Sequence, residues 1–314
     1  MNSYIKLISA ILILIFSISF YSCSSSIKNE RKAAPKFDNT EQGNLRKILY
    51  YSSLAGSAHN TQPWKVIAYN NDSIQIFLNE KNLTNNSINS HRYSFISLGA
   101  FVENFEVAAS NLGYEAKITI QPNSNGISTP AVIIKLSPNK DLSKTLTLAD
   151  IAQRRTLRTQ FKTDEIEYDH VQELVGIDRG HIHYFDRLTR SWQYISERTQ
   201  IVANNANKGK IDNKVYNLIE NSRGWISIMF PEDNVMNWIN TGRLYERMNL
   251  KAKKLNIGFH PMNILLSDED SANNLKTYLK RNEYTFLLIR VGYVDHTPPP
   301  VTSRNNIDDF TTFK

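Results

Sequence analysis

The residues from 57 to 64 form the densest group of hydrogen-bonding side chains in the sequence, and they read Ser-Ala-His-Asn-Thr-Gln-Pro-Trp. Asn60 and Gln62 each offer a paired donor and acceptor, which suits the edge of a planar heterocycle with alternating N–H and C=O groups. Pro63 fixes the backbone beside them, and Trp64 can anchor the segment in a core. This segment, called the polar loop, is a candidate binding site, although a structural turn would use the same residue types.

A second concentration of reactive side chains, called the arginine segment, covers residues 154–158 and contains Arg154, Arg155, Thr156 and Arg158. Guanidinium groups offer forked donors that match the oxygens of a phosphate. No acidic residue follows to neutralise them until Asp164. The pattern favours an anion site, while a solvated cationic surface is the alternative.

The elements around the polar loop follow from apolar periodicity and turn residues. The predicted elements are a helix over residues 42–54, a hairpin over 64–69 and 73–77, a core helix over 98–112 capped by Gly113, and strands over 114–120 and 131–136. The polar loop therefore joins a helix to the first strand of a hairpin.

The second half predicts more helices and one strong strand. A capping pattern over residues 147–150 starts a helix that runs into the arginine segment, and further helices are predicted over 168–174, 190–203, 213–221 and 235–255, with a buried strand over 284–293. Laying the second half over the first aligns Gly242 with Gly99 and Glu246 with Glu103. This indicates an internal duplication, although two unrelated amphipathic helices could align similarly.

The N-terminus predicts export. One cation, Lys6, precedes an apolar run over residues 7–20, which is shorter than the roughly 20 residues of a membrane-spanning helix. We therefore predict a lipoprotein-type signal peptide over residues 1–22, a lipid on Cys23, and a polar tether over residues 23–40. The protein would be held on a bacterial membrane and face away from the cytoplasm, with an uncleaved signal anchor as the alternative.

Composition excludes several classes of chemistry. Cys23 is the single cysteine, so disulfides, cysteine-ligated metals and a catalytic thiol are excluded. His181 and His183 have no third ligand at a recognisable spacing, so no metal site is predicted. The formal charge of +7 is not assigned to nucleic acid, because an exported protein does not meet it.

The polar loop and the arginine segment together carry a family resemblance. Ser-x-x-Asn-x-Gln-Pro-Trp leading into a strand, with Arg-Arg-Thr-x-Arg followed by Phe161, resembles the FMN-binding signature of the nitroreductase superfamily. The order, with the loop first and the arginines second, is similar to the duplicated, single-chain Acg-like branch. The resemblance implies an α+β, nitroreductase-like fold with mixed sheets flanked by helices. Its two lobes would span residues 41–140 and residues 141–314, the latter including a C-terminal tail.

The resemblance also implies which residues hold the cofactor FMN. On the family pattern, the phosphate and ribityl chain would be held by Arg154, Arg155, Thr156 and Arg158, with Arg304 closing on the phosphate. The flavin would be reached from the other lobe by Ser57, Asn60 and Gln62. Pro261 and Met262 resemble the stretch that lies against the ring. One flavin per chain is expected, because the second half shows no copy of the polar loop and the first half shows no copy of the arginine segment.

Two functions remain open on the sequence. The first is an FMN-dependent oxidoreductase that passes hydride from a nicotinamide or membrane-borne electron donor to a small acceptor such as a nitroaromatic or quinone. No catalytic side chain is then required, because the flavin carries the chemistry. The second is a non-catalytic FMN-binding or flavin-sequestering lipoprotein, in which an insertion over residues 201–232 would act as a lid.

Overall fold

A computed structural model of the protein describes residues 34–83 and 88–314. The predicted signal peptide, Cys23 and the first part of the tether lie outside the described residues. Residues 34–40 have no regular structure and lead directly into the first helix. Within the two described ranges, no helix is both long enough and apolar enough to cross a bilayer.

The first half of the chain forms two helices and a four-stranded antiparallel arrangement. Its elements are α1 (Glu41–Ser53), β1 (Trp64–Tyr69), β2 (Ser73–Leu78), α2 (Ile88–Asn111), β3 (Tyr114–Ile120) and β4 (Val132–Pro138). The β1–β2 turn uses Asn70 and Asn71 at φ of 49° and 60°, which suits a tight hairpin. Gly113 adopts a φ of +82° just after α2, as expected for a helix cap.

The second half repeats this pattern with additions. Its elements are α3 (Leu148–Gln153), α4 (Tyr168–Val175), β5 (Ile182–Asp186), α5 (Arg190–Ala206), α6 (Asn213–Glu220), β6 (Gly224–Phe230), α7 (Val235–Lys254), β7 (Ile257–Pro261), α8 (Glu269–Tyr278), β8 (Tyr284–Tyr293), α9 (Ile307–Phe310) and β9 (Thr311–Phe313). Short 3-10 turns occur at Ala58–Asn60, Glu80–Asn82 and Ile264–Ser267.

The two sheets share one strand topology. The first sheet has the order β3-β4-β2-β1 with β9 added at the edge, and the second has the order β7-β8-β6-β5. Every neighbouring pair is antiparallel except β1 with β9. The succession α1-β1-β2-α2-β3-β4 thus corresponds to α4-β5-β6-α7-β7-β8. An α+β architecture of two related halves, each with helices against a sheet, is the arrangement that the sequence predicted.

The core helices α2 and α7 pack closely where two aligned glycines meet. A Cβ atom added to Gly99 would lie 2.0 Å from the carbonyl oxygen of Ile239 and 3.0 Å from Cα of Gly242. One added to Gly242 would lie 1.8 Å from the carbonyl oxygen of Ile96. Only glycine allows two helix backbones to approach this closely. The sequence match between these glycines therefore marks a real pair of equivalent positions.

The aligned glutamates lie one turn further along the same two helices, and both are buried. Glu103 forms ion pairs with Nε of Arg247 at 2.5 Å and Nε of Arg243 at 3.1 Å. Glu246 forms one with Nε of Arg154 at 2.9 Å. Buried carboxylates need such partners, because an unpaired buried charge is strongly destabilising. The equivalent positions thus keep the glutamate but draw their arginines from different parts of the chain.

The second half contains an insertion between β5 and β6 that holds α5 and α6. The predicted insertion over residues 201–232 is wrong in its last part, because residues 224–230 form β6. All seven residues of β6 are buried, and the strand lies inside the second sheet between β5 and β8. A short, nearly continuous apolar run is typical of such an interior strand. The segment available as a cover is therefore residues 187–223.

The C-terminal residues return to the first sheet. β9 pairs in parallel with β1, with Val66 opposite Thr311 and Ala68 opposite Phe313. Phe310 is 4% exposed, and its ring meets the ring of Phe101 edge-on at 6.1 Å. The last residues of the chain therefore pack on the first lobe. The predicted boundary between the two lobes, at residues 140 and 141, stays a prediction.

Candidate functional site

The polar loop has a strained backbone. His59, Asn60 and Gln62 have φ angles of 52°, 57° and 50°. Residues other than glycine rarely adopt this left-handed region, and such strain persists only where the surroundings enforce it. Within the loop, the amide of Gln62 donates to Oγ of Ser57 at 3.1 Å. Ser57 thus acts on the loop's own conformation.

The loop is held against the core helix α2 and the first sheet. The amide of Ala58 donates to Oγ of Ser97 at 3.0 Å, and Nδ2 of Asn82 donates to the carbonyl of Gln62 at 3.1 Å. Trp64 is fully buried, with its ring 4.9 Å from that of Phe101. The predicted anchoring role of Trp64 is confirmed. Because the ends of the loop are fixed, its polar side chains are held in place.

Arg304 joins the C-terminal segment to the polar loop through hydrogen bonds. Its Nε donates to the carbonyl of Ser53 at 2.8 Å, and its Nη1 donates to Oδ1 of Asn60 at 3.1 Å. The next residue, Asn305, donates its amide to Oε1 of Gln62 at 2.9 Å. Three residues predicted as parts of one site, Asn60, Gln62 and Arg304, are therefore brought together by the fold.

Arg154 reaches the same place from the opposite side. It follows α3 directly, is 3% exposed, and donates Nη2 to the carbonyl of Leu54 at 3.1 Å. Its Nη1 is buried and has no hydrogen-bond partner among the described residues. A Cβ atom added to Gly56 would lie 3.4 Å from this Nη1, so the missing side chain leaves room beside it. An unsatisfied buried donor next to a glycine is what an anionic oxygen of a ligand would fit.

The charge of Glu246 balances Arg154 at this position. Burial raises the pKa of the Glu246 carboxyl, while the charge of Arg154 and a hydrogen bond from the Gly56 amide oppose that rise. Tyr245 beside it shares a hydrogen bond with Thr156, and burial raises the pKa of this phenol. Thr156 thus contacts the core helix α7 close to the Arg154 ion pair.

The other members of the arginine segment contact different parts of the chain. Arg155 donates Nη1 to the carbonyl of Pro299 at 2.7 Å. Arg158 is exposed and has no hydrogen bond or ion pair within the described ranges, and its charge lowers the pKa of His260. The three guanidiniums therefore share no contact in this structure. Arg154 and Arg304 share an acceptor, the carbonyl of Leu54, whereas the charge of Arg158 acts on a histidine of the second sheet.

Pro261 and Met262 lie at the end of β7. The Met262 amide donates to the carbonyl of Leu288 at 2.8 Å, and its side chain is 5% exposed. That side chain belongs to a small apolar cluster that includes Val215 and Ile219 of the insertion helix α6. Met262, which is predicted to lie against the flavin ring, therefore shares an apolar cluster with the insertion helix α6.

A hydrogen bond links this stretch to α2, the helix against which the polar loop is held. Asn263 bonds to the phenol of Tyr93, whose pKa is raised by burial to about 12. The carbonyl of Tyr93 accepts from Oγ of Ser97, which in turn holds Ala58. The polar loop and the end of β7 are thus connected through one face of α2.

Sequence reasoning did not assign the buried pair formed by Arg290 and His260. Arg290 lies in β8, has no exposed surface, and donates Nε to Nδ1 of His260 at 2.8 Å. Burial lowers the pKa of Arg290 to about 9. Burial, then the charges of Arg290, Arg158 and Lys214, lower the pKa of His260 well below its ordinary value. An arginine in the middle of an apolar strand was the signal available in the sequence.

Comparison with known proteins bears on the fold. No family model matches the sequence, and no curated protein matches it detectably. A solved structure of a protein assigned as a nitroreductase from Anabaena variabilis aligns with 83% of this chain and 90% of its own, at a TM-score of 0.55 and 9% identity.

Other solved structures of the same kind align with a smaller part of the chain. The FMN-dependent nitroreductase of Mycobacterium smegmatis, solved with NADPH, covers 52% of this chain and 96% of its own at a TM-score of 0.40 and 15% identity. A nitroreductase-type protein from Desulfovibrio desulfuricans, solved with FMN, covers 52% of this chain and 92% of its own at a TM-score of 0.39 and 13% identity.

The comparison establishes the fold of this protein. The alignment with the Anabaena variabilis structure extends over most of both chains, so the protein has a nitroreductase-like α+β fold. At this level of identity the likeness concerns the fold alone, and function has to be argued from the site.

Proposed function

We propose that this protein is an FMN-dependent oxidoreductase. The observation that carries the proposal is the meeting of Arg154, Arg304 and the polar loop at the end of α1, within a nitroreductase-like fold. These groups come from three distant parts of the sequence, and Nη1 of Arg154 is left as a buried donor without a partner among the described residues. Such a donor set suits an anionic, heteroatom-rich cofactor.

The residues of this chain would divide the binding of FMN between the two lobes. Arg154 and Arg304 would donate to the phosphate, with Arg155, Thr156 and Arg158 along the ribityl chain. Ser57, Asn60 and Gln62 would face the flavin from the first lobe, and Pro261 and Met262 would lie against its ring. Bound FMN would supply two-electron transfer from a nicotinamide or membrane-borne donor to a small acceptor such as a nitroaromatic or quinone.

The protein's part in that chemistry would be binding, orientation and charge. Arg154 is already fixed by Glu246, so its unsatisfied donor is held in place before a ligand arrives. Two related lobes within one chain would form the interface that separate subunits form in other members of the superfamily. On this basis we propose one flavin per chain and a place in the duplicated Acg-like branch.

A flavin-sequestering role is the second candidate, and the closed state of the site favours it. Arg154 is 3% exposed, and Met262 is 5% exposed within an apolar cluster that it shares with the insertion. A cofactor held under such a cover would exchange slowly and meet few substrates. The same residues would then bind FMN without turnover.

Reduction of bound flavin distinguishes the two candidates. The purified protein is loaded with FMN, freed of oxygen and mixed with NADH or NADPH, and the visible absorbance of the flavin is followed. Loss of this absorbance supports the oxidoreductase for those donors. Retained absorbance, with photoreduction intact, supports sequestration. A protein that stays colourless after incubation with FMN contradicts both proposals.

The location of the protein is a separate proposal, which rests on the N-terminal sequence. We propose that Cys23 carries a lipid that holds the protein on a membrane outside the cytoplasm. Replacing Cys23 with Ser should move the protein from the membrane fraction to the soluble fraction. An unchanged distribution would favour the uncleaved signal anchor.

A further inference from the structure

Arg290 is a buried cation that has no acidic partner in the part of the chain that the structure describes. Among residues 34–83 and 88–314, no carboxylate oxygen lies within 4.0 Å of its guanidinium nitrogens. Besides His260, the acceptors it uses are the carbonyls of Leu218 at 3.0 Å and of Thr159. Its guanidinium also lies 4.1 Å from the centroid of the Phe161 ring. All of these partners are neutral, so its positive charge remains uncompensated.

The ring of Phe161 is itself seated on the second sheet by two glycines. A Cβ atom at Gly258 would lie 2.4 Å from this ring, and one at Gly292 would lie 2.8 Å from it. Gly258 is in β7 and Gly292 in β8, next to the strand positions of His260 and Arg290. Phe161, three residues after the arginine segment, is thus fixed against the strands that carry the buried pair.

His260 presents one free donor. A guanidinium can only donate hydrogen bonds, so Nδ1 of His260 accepts from Arg290 and its proton lies on Nε2. The residue is 7% exposed, and Nε2 has no hydrogen-bond partner among the described residues. Nearly all of the imidazole is therefore enclosed, while one N–H remains available for an acceptor.

Two further cations act on the same imidazole from different elements. Arg158 directly precedes Thr159, and Lys214 lies one helical turn before Leu218 in the insertion helix α6; the carbonyls of Thr159 and Leu218 both accept from Arg290, the partner of His260. The charges of Arg158 and Lys214 lower the pKa of His260. Each side chain is exposed and makes no ion pair within the described part of the chain. No acidic group is among the charges that act on His260. This contrasts with Arg243 and Arg247, which are neutralised by Glu103 and Glu106.

We propose that Nε2 of His260 and Lys214, together with Arg158 at the border of the flavin site, form a binding site for an oxyanion, namely a phosphate or carboxylate group of the second reactant that meets the flavin. Oxyanions are what forked and ammonium donors bind best, and the excess positive charge requires an anion. The site adjoins Pro261, so the proposal rests on the proposed function for its identification of the reactant. Arg290 is a positioning residue, because it acts through the tautomer of His260.

The first test uses flavin-free protein and simple anions. Inorganic phosphate and acetate are each titrated while the imidazole nitrogen signals are followed by NMR, with the His260 signal assigned by its loss in His260→Gln. We expect a saturable shift of that signal. A response to phosphate alone identifies a phosphate-bearing reactant, a response to acetate alone identifies a carboxylate, and no response to either anion overturns the proposal.

Variants distinguish a specific phosphate site from non-specific electrostatic attraction of phosphate to the protein. Arg158→Ala and Lys214→Ala should each weaken phosphate binding by about tenfold, since each removes one charged donor. Lys210→Ala is the matched control, because Lys210 is exposed on the same insertion and is not among the charges that act on His260. Equal affinities in all three variants would show an adventitious ion only.

The second test separates this site from the flavin phosphate. The titration is repeated with protein saturated with FMN, and a retained phosphate response supports a separate site. A response that FMN abolishes overturns the proposal, because the site would then hold the phosphate of FMN itself. If FMN does not bind at all, the proposed function fails, while the titration of flavin-free protein still decides whether the anion site exists.

Discussion

Arg154 and Arg304 donate hydrogen bonds to the same atom, the carbonyl oxygen of Leu54, at 3.1 Å and 3.2 Å. One arginine follows α3 and the other lies shortly before α9, so the two meet only because the chain returns to its first lobe. Leu54 is the C-terminal cap of α1, where the helix carbonyls lack partners of their own and favour positive charge. The two arginines therefore complete a helix terminus and, at the same place, border the polar loop.

Replacing Arg304 with Ala should weaken FMN binding. The change removes the donor that reaches Asn60 and the α1 carbonyls, and one charged hydrogen bond contributes roughly 1.5–3 kcal/mol. We expect the dissociation constant to rise by about ten- to a hundredfold, as measured by quenching of FMN fluorescence. Arg281→Ala is the control, because Arg281 forms only a long, exposed ion pair with Glu283. An unchanged constant for Arg304→Ala would show that the phosphate lies elsewhere.

Replacing Glu246 with Gln should destabilise the fold strongly. Arg154 would then keep a buried charge without its partner, which costs roughly 3–5 kcal/mol. The free energy of unfolding is measured by urea denaturation. Glu103→Gln is the matched control at the equivalent position, and a smaller loss is expected because the side chains of Arg243 and Arg247 are 20% and 38% exposed. Equal losses would contradict a special role for the Arg154 pair.

Replacing Gly242 with Ala should prevent close packing of α2 and α7. The added methyl group would meet the backbone oxygen of Ile96 at 1.8 Å, and neither helix can yield locally. We expect a loss of about 3 kcal/mol or more, since forced overpacking costs about 1–3 kcal/mol even where side chains can adjust. Gly180→Ala is the control, because its Cβ would meet only a side-chain oxygen of Asp178 at 3.3 Å. Native stability of Gly242→Ala would argue against the observed crossing.

Replacing Phe310 with Ala should release the C-terminal segment. Its ring is 4% exposed against Phe101, and removing a buried phenylalanine costs about 3–5 kcal/mol. Phe313→Ala should cost much less, because Phe313 is partly exposed and contacts Arg46 at the surface. Limited proteolysis measures the release. Equal protease resistance of both variants would contradict the packing of the tail on the first lobe.

The stability of the protein should fall on acidification because of His260. Its ordinary pKa of 6.5 is lowered in the folded protein, so below about pH 6.5 the unfolded chain binds a proton that the folded chain does not. The free energy of unfolding then decreases by up to about 1.4 kcal/mol per pH unit from this residue. Urea denaturation between pH 7.5 and about pH 5 measures the slope.

The contribution of His260 is isolated with His260→Gln, which retains an acceptor for Arg290 and a donor but does not titrate. The comparison is needed because His183 also has a lowered pKa, again through burial. The wild-type slope should exceed that of the variant. Identical slopes would show that the folded protein protonates His260 as readily as the unfolded chain does.

Local sequence determined most of the secondary structure. The β1–β2 hairpin, the capping box of Thr147 and Asp150, and the strand over residues 284–293 are confirmed. Each depends on contacts between residues close in sequence, namely apolar alternation, a turn with two asparagines and a cap. β7, α8 and β9 were not predicted, because short strands and polar helices take their stability from distant neighbours. β6 was also missed, although its apolar run is typical of an interior strand.

The sequence by itself determined the types of binding residue, the polar loop and the arginine segment, and the equivalence of Gly99 with Gly242. Only the tertiary structure decided that Arg154 pairs with Glu246, that Arg158 lies apart from this pair, and that Arg290 is buried without an acidic partner among the described residues. The physical reason is that composition and spacing specify which donors and acceptors exist. Which of them meet, and which remain unsatisfied, depends on how the two lobes and the returning tail close on one another.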